Sequence, residues 1–326
     1  MARCLLSALT MKTRLTFAVL ALITLVARDA GATDFSLWIH GYSALRVTSA
    51  GSYSDYVYFG PAERPAGVNK RAISWGGQDN LTNTVAYVRR GLDCYCTGSN
   101  WCYLAAHSTG EMHVGYLLSL YGASARNVKI PDTGDATGTC QNASGSPTQT
   151  GWNIRWIDVA GGGAGGSELA PIGHWVDKNT DDLVNLSHPI LVDLDPARAR
   201  TLYDHNQTRG VMFYMFAGAK GSLHSLTLPG QDDQIVAYHS AGSVSGDVQG
   251  WCNPWDAFCY GVLTMGTAAA DAYWPYSDRA KWSNHYVQFR DDSESYMHLP
   301  YSTLVGMQDW GELVALERQD MVNYAW

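Results

Sequence analysis

Ser108 stands in the run Ala106-His107-Ser108-Thr109-Gly110, with a small residue two positions before it and another two after. The apolar stretch Trp101 to Ala106 leads into it, and Met112, Gly115, Tyr116, Leu117 and Leu118 follow at helical spacing. That order predicts a strand, a sharp turn and a helix, with the serine at the turn. Small flanks are needed there because larger side chains would clash across the turn. The geometry lifts the hydroxyl clear of a sheet and aims a helix N-terminus at negative charge developing on an attacked carbonyl oxygen. The expected chemistry is nucleophilic attack. A serine hydroxyl is a poor nucleophile until a histidine takes its proton and a carboxylate orients that histidine. A carboxylate and a histidine elsewhere in the chain must supply those roles.

The elements that would position these residues alternate. Short apolar runs at Phe35–Ile39, Arg71–Trp75, Trp101–Ala106, Ile154–Ala160, Val211–Ala217 and His285–Phe289 read as strands, several ending at glycines. A helical stretch runs from Asn80 to Arg90, another follows Ser108, and Leu304 to Tyr324 reads as a closing helix. Strands separated by helices predict an α/β fold with a mainly parallel sheet covered by helices on both faces. Residues 124–150, 174–208 and 240–283 lack clear periodicity and read as insertions in a single domain spanning 33–326.

Residues 1–32 read as a secretory signal peptide. Lys12 and Arg14 precede the apolar run Leu15 to Val26, and Ala30-Gly31-Ala32 offers a small-residue cleavage site; Met11 is an alternative start. The run is too short for a membrane span, which needs about 20 residues. Of the seven cysteines, Cys4 goes with the signal. The other six suggest three disulfides: Cys252 with Cys259, and Cys102 and Cys140 with Cys94 and Cys96. Export, to the periplasm or the medium, is the expected localisation.

Composition narrows the partners. The 326 residues are 46% hydrophobic and 16% charged, against roughly 25% charged in an average soluble domain. This excludes a disordered chain. A net charge of −8 without a Lys/Arg cluster argues against nucleic acid. Twelve Trp and nineteen Tyr suit a protein that meets apolar ligands, and Trp251, Trp255, Trp274 and Trp282 could line a cleft or pack a core. Asp177 to Asp182 alternates oxygen ligands but lacks the glycine and glutamate of a calcium loop. A solvated lid within 174–208 is the expectation, with structural calcium the alternative and no other cofactor.

Four segments in order resemble the α/β-hydrolase fold family, and within it secreted bacterial lipases and esterases. His40-Gly41-Tyr42 resembles its His-Gly oxyanion turn, and Ala106 to Gly110 its nucleophile elbow in an alanine variant. Gly165-Gly166-Ser167-Glu168-Leu169-Ala170 resembles a G-S-x-L-A segment, and Gly230 to Val236 the stretch bearing the acid. The sequence departs from the pattern in having Gly161-Gly162-Gly163-Ala164 before G-S-x-L-A and Ala237 after the acid stretch. The resemblance implies a triad in the order serine, acid, histidine. It also implies a sheet shortened at its N-terminal side, because His40 comes so soon after residue 32.

The triad implied is Ser108, Asp233 and His298. Asp233 is preferred to Asp232 because Ile235 and Val236 then fall where the fold has two apolar residues. His298 is preferred to His285, which opens a strand, and to His239, which follows the acid too closely. Backbone N–H groups of Tyr42 and Thr109 are the implied oxyanion donors. His107 and His113 read as packed or surface residues. The implied reaction is hydrolysis of a small-molecule or lipid carboxylic ester through an acyl-enzyme, with a polyester polymer a substrate within the same chemistry. The alternative is a non-catalytic binding protein of the same fold, whose mark would be a missing triad member.

Overall fold

The computed structural model describes residues 33–43, 49–56, 58, 69–131, 139–171, 188–218, 235–237, 240, 262–264 and 282–290. From β1 onward the described elements belong to one compact unit, Asp34–Trp326. Its centre is a seven-stranded sheet in the order β10-β11-β9-β8-β3-β1-β2. The strands are β1 (Asp34–Ile39), β2 (Arg71–Ile73), β3 (Trp101–His107), β8 (Ile154–Ala160), β9 (Met212–Gly218), β10 (Val262–Thr264) and β11 (His285–Arg290). Every neighbouring pair is parallel except β10 with β11.

Helix α1 (Leu81–Tyr95) joins β2 to β3, and helix α2 (Thr109–Tyr121) joins β3 to β8. Both crossovers step across the sheet in the same direction, so right-handed connections put both helices on the same face. The sequence explains the packing. Phe35, Leu37 and Ile39 alternate on β1, and with Leu104 and Ala106 of β3 and Ile157 and Val159 of β8 they meet Val88 and Leu92 of α1 and Met112 and Leu117 of α2 in one buried cluster. Each of the larger side chains contributes about 1.5–3 kcal/mol by leaving water. The parallel strands β2-β1-β3-β8-β9 follow the order of an α/β-hydrolase sheet.

Helix α1 begins where Asn80 Oδ1 accepts from the N–H of Asn83, and the N–H of Leu81 donates to buried Asp193. The helix runs on to Tyr95, beyond the stretch expected from periodicity. Two disulfides pin its end: Cys94 to Cys140 and Cys96 to Cys102. This is the grouping expected from spacing; Cys252 and Cys259 lie outside the described residues.

The 124–150 insertion holds two antiparallel pairs rather than unstructured chain. β4 (Ala125–Asn127) pairs with β7 (Thr148–Thr150), and β5 (Lys129–Pro131) with β6 (Cys140–Asn142). Arg126 anchors it, donating to Asp93 at 2.7 Å with its guanidinium over Trp152. Of the 174–208 insertion, the described part packs against the body as α3 (Pro189–Asp193) and α4 (Pro196–Ala199). Ile190 N–H donates to Gln78 O and Ser167 N–H to Leu194 O. The expected signal peptide, the Asp177–Asp182 stretch, Trp251, Trp255 and Trp274 and the closing helix lie outside the described residues. No described helix is long and apolar enough to cross a membrane.

Candidate active site

The C-terminal ends of β1, β3 and β8 meet at one edge of the sheet, and Ser108 is the turn residue there. Its φ of 52° and ψ of −124° put it in a region that costs a non-glycine residue of order 1–3 kcal/mol. The strain is held by hydrogen bonds on both sides. Ser108 N–H donates to Ala160 O, and Ser108 O accepts from the N–H groups of Glu111 and Gly163, all at 3.1 Å. Ser108 is the N-cap of α2 without a side-chain capping bond, so its hydroxyl is not spent on the helix. Thr109, the first residue of α2, follows directly.

The small residues of the motif have the expected reason. Gly110 packs onto β1 so closely that a Cβ there would clash with the carbonyl oxygen of Ile39. Gly41 approaches the elbow from the other strand: a Cβ on it would lie 2.6 Å from Ser108 Cβ. The structure thereby brings Gly41 of the His40-Gly41-Tyr42 turn against Ser108.

This turn is braced by side chains. His40 is buried, its Nδ1 donates to Gly41 O at 2.7 Å, and its Nε2 accepts from Trp75 N–H at 3.2 Å. That fixes the neutral tautomer, and burial lowers its pKa. Trp75 stacks on the ring and donates its indole N–H to His40 O. Tyr58 sits beside Gly41 with its hydroxyl 2.5 Å from His107 Nδ1, and it accepts from Gly41 N–H, so its proton points to the histidine. His107 is packed, as expected from sequence. His113 is packed too: it bonds Thr84 and Thr109 O, and burial lowers its pKa to about 3. Tyr42 turns its hydroxyl to His188 Nδ1 at 2.8 Å, tying the turn to the start of α3.

The glycine-rich segment after β8 links the elbow to the stretch that follows the expected acid. Ser167 Oγ donates to Ile235 O at 2.5 Å and accepts from Leu169 N–H. Ser240 Oγ donates to Glu168 and accepts from Arg200. Ile235 and Ser240 are therefore docked on the segment that Gly163 joins to Ser108. Asp233 and Asp232 lie outside the described residues, two and three positions before Ile235. His298 and His239 also lie outside them. His285 is described, and it opens β11 at the opposite edge of the sheet from Ser108. It stacks on Phe213, donates Nδ1–H to Ser283 O, and burial lowers its pKa to about 4. It is a core histidine.

Sequence reasoning missed Tyr58 and Glu111. Nothing in the pattern marks Tyr58, which reaches the site through the fold. Glu111 carried a signal, being the lone Asp, Glu, Lys or Arg in the thirteen residues of α2. Among the described residues no group of three or more His, Cys, Asp or Glu could hold a metal ion.

No protein-family model matches the sequence, and no curated protein does. Among solved structures the chain is similar to the lipase of Staphylococcus hyicus, at 9% identity and a TM-score of 0.46, over 92% of this chain and 98% of that one. It is similar to EstA of Clostridium botulinum, at 10% identity and 0.46, over 90% and 89%. It is also similar to a metagenomic carboxyl esterase, at 14% identity and 0.45, over 92% and 80%.

Proposed function

We propose that the protein is an exported serine hydrolase of carboxylic esters, lipase- or esterase-like, with Ser108 as nucleophile, His298 as base and Asp233 as the carboxylate orienting it. One observation carries this reading: a serine held at φ 52° on the turn between the central strand and α2, with Gly41 packed against it. Strain of this kind persists where surrounding structure over-determines it, and here it presents a hydroxyl at the sheet edge.

The chemistry follows. His298 takes the Ser108 proton as Oγ attacks the ester carbonyl, and the N–H groups of Thr109 and Tyr42 hold the oxyanion. Removing one such donor costs about 10²–10³ in kcat. Collapse gives an acyl-serine, and the alcohol leaves with the proton from His298. Water, deprotonated by His298, then releases the acid and restores Ser108.

The test is hydrolysis of p-nitrophenyl esters. Ser108→Ala and His298→Ala are expected to abolish turnover, and Asp233→Asn to lower kcat by about 10⁴. Near wild-type turnover by His298→Ala, with loss in His285→Ala, would overturn the base assignment. An acyl-chain-length series with the wild type assigns short soluble esters against lipids.

A further inference from the structure

Glu111 lies three positions after Ser108 and is 1% exposed. Its Oε2 accepts from Ala164 N–H at 3.1 Å, and Gly162 is pressed so close that a Cβ there would run into the carboxyl. Oε1 has no hydrogen-bond partner among the described residues. None of the four ion pairs there includes Glu111. A carboxylate in this place would be charged, buried and without a counter-ion among the described residues, which strongly favours the neutral acid.

The loop that Glu111 holds is the one that covers the elbow. Gly163 donates to Ser108 O, and a Cβ on it would lie 3.2 Å from Ser108 C and from Thr109 N. The position of this loop therefore sets the backbone on which the nucleophile and one oxyanion donor depend. Resting on the hydrolase reading above, we propose that Glu111 is a positioning residue: a neutral carboxyl that seats the Gly161–Ala164 loop against Ser108 and Thr109, and unseats it on ionisation.

Burial pushes the Glu111 carboxyl up to about 8, against the Ala164 hydrogen bond that favours its charged form. Ionisation demands a partner at Oε1, and on this proposal the loop lifts to admit water there. The described surroundings offer no other compensation. The loop itself carries no charge between 161 and 166, and β9 contributes Met215 beside Gly162. Tyr203, packed on Gly115 of α2, is raised well above its ordinary value by burial and stays neutral. His113 on α2 is neutral down to about pH 3. Arg200 and Glu168 are engaged on the far part of the loop, Arg200 with Gly165 O and Ser240, and Glu168 with Ser240.

The experiment measures kcat and KM for a p-nitrophenyl ester from pH 6 to 10 in the wild type, Glu111→Gln and Glu111→Ala. Wild-type kcat is expected to fall above about pH 8 with KM nearly constant. Glu111→Gln keeps an acceptor for Ala164 N–H but cannot ionise, so its normalised kcat should hold its plateau beyond pH 9. Glu111→Ala loses the acceptor, and its kcat should drop by about tenfold at all pH values, again without a fall near 8; it decides the matter if the glutamine variant does not fold. Superimposable normalised profiles of the wild type and the folded variants overturn the inference and leave the hydrolase reading standing. Absence of wild-type turnover at every pH overturns both.

Discussion

At Ser108 a φ of 52° and a ψ of −124° would suit glycine better than any L residue. Replacing the serine by glycine should therefore separate strain from chemistry. Ser108→Gly is expected to abolish hydrolysis and to be more stable than Ser108→Ala by about 1 kcal/mol, the relieved strain being partly offset by the greater freedom of an unfolded glycine. Urea unfolding of the two variants reads the difference directly, and equal midpoints would mean that the elbow is unstrained. The neighbouring turn offers a second probe. Gly41→Ala places a methyl 2.6 Å from Ser108 Cβ and 2.8 Å from the Tyr58 hydroxyl. Displacing the turn by about 1 Å should cost about 10² in kcat while the protein still folds.

Among elements, six of the seven strands of the central sheet were legible because each is an apolar run ending near a glycine or a polar residue, and the α1 start because Asn80 is a good cap; β10 was not, lying in the 240–283 stretch that reads as an insertion. The pairs within 124–150 were not. Ala125-Arg126-Asn127 and Lys129-Ile130-Pro131 show no two-residue alternation of apolar side chains, and what fixes them is the Arg126–Asp93–Trp152 contact and the disulfide to Cys94. At the site, the serine, its flanking small residues and the His40-Gly41 turn were readable from local pattern. The seating of the 161–168 segment was not, because it depends on Glu111, Ser108 O and Ile235 O, which are distant in sequence. The two disulfides differ in what they constrain. Cys94–Cys140 spans 46 positions and Cys96–Cys102 spans six, so loop-closure entropy assigns them about 4 and about 2 kcal/mol. Replacing the first pair by alanine should lower Tm more than replacing the second; the reverse order would place the main constraint at the α1–β3 junction.

For the whole molecule, buried titratable groups set a pH window of stability. His113, His205 and His285 are held neutral, with pKa values of about 3, about 3 and about 4. Unfolding frees them to bind protons below their ordinary value of about 6.5, so stability falls as pH drops from there. Glu111 acts in the opposite sense. Its folded value of about 8 lies above its ordinary 4.5, so the unfolded state loses its proton first and stability falls as pH rises between the two. Among the described groups these histidines, with His40 also held neutral by burial, outweigh one glutamate below 6.5, which puts the maximum near pH 6.5–7. Thermal melts across pH 4–9 should show it there, and Glu111→Gln should flatten the alkaline side and steepen the acid side between 4.5 and 6.5. The claim on which the rest depends is that one serine of this fold is an activated nucleophile. Treating the folded wild-type protein with a fluorophosphonate probe and mapping the adduct by mass spectrometry tests it. The expected result is one adduct per chain, on Ser108, absent from Ser108→Ala. An adduct on another residue, or none on the folded protein, would contradict it.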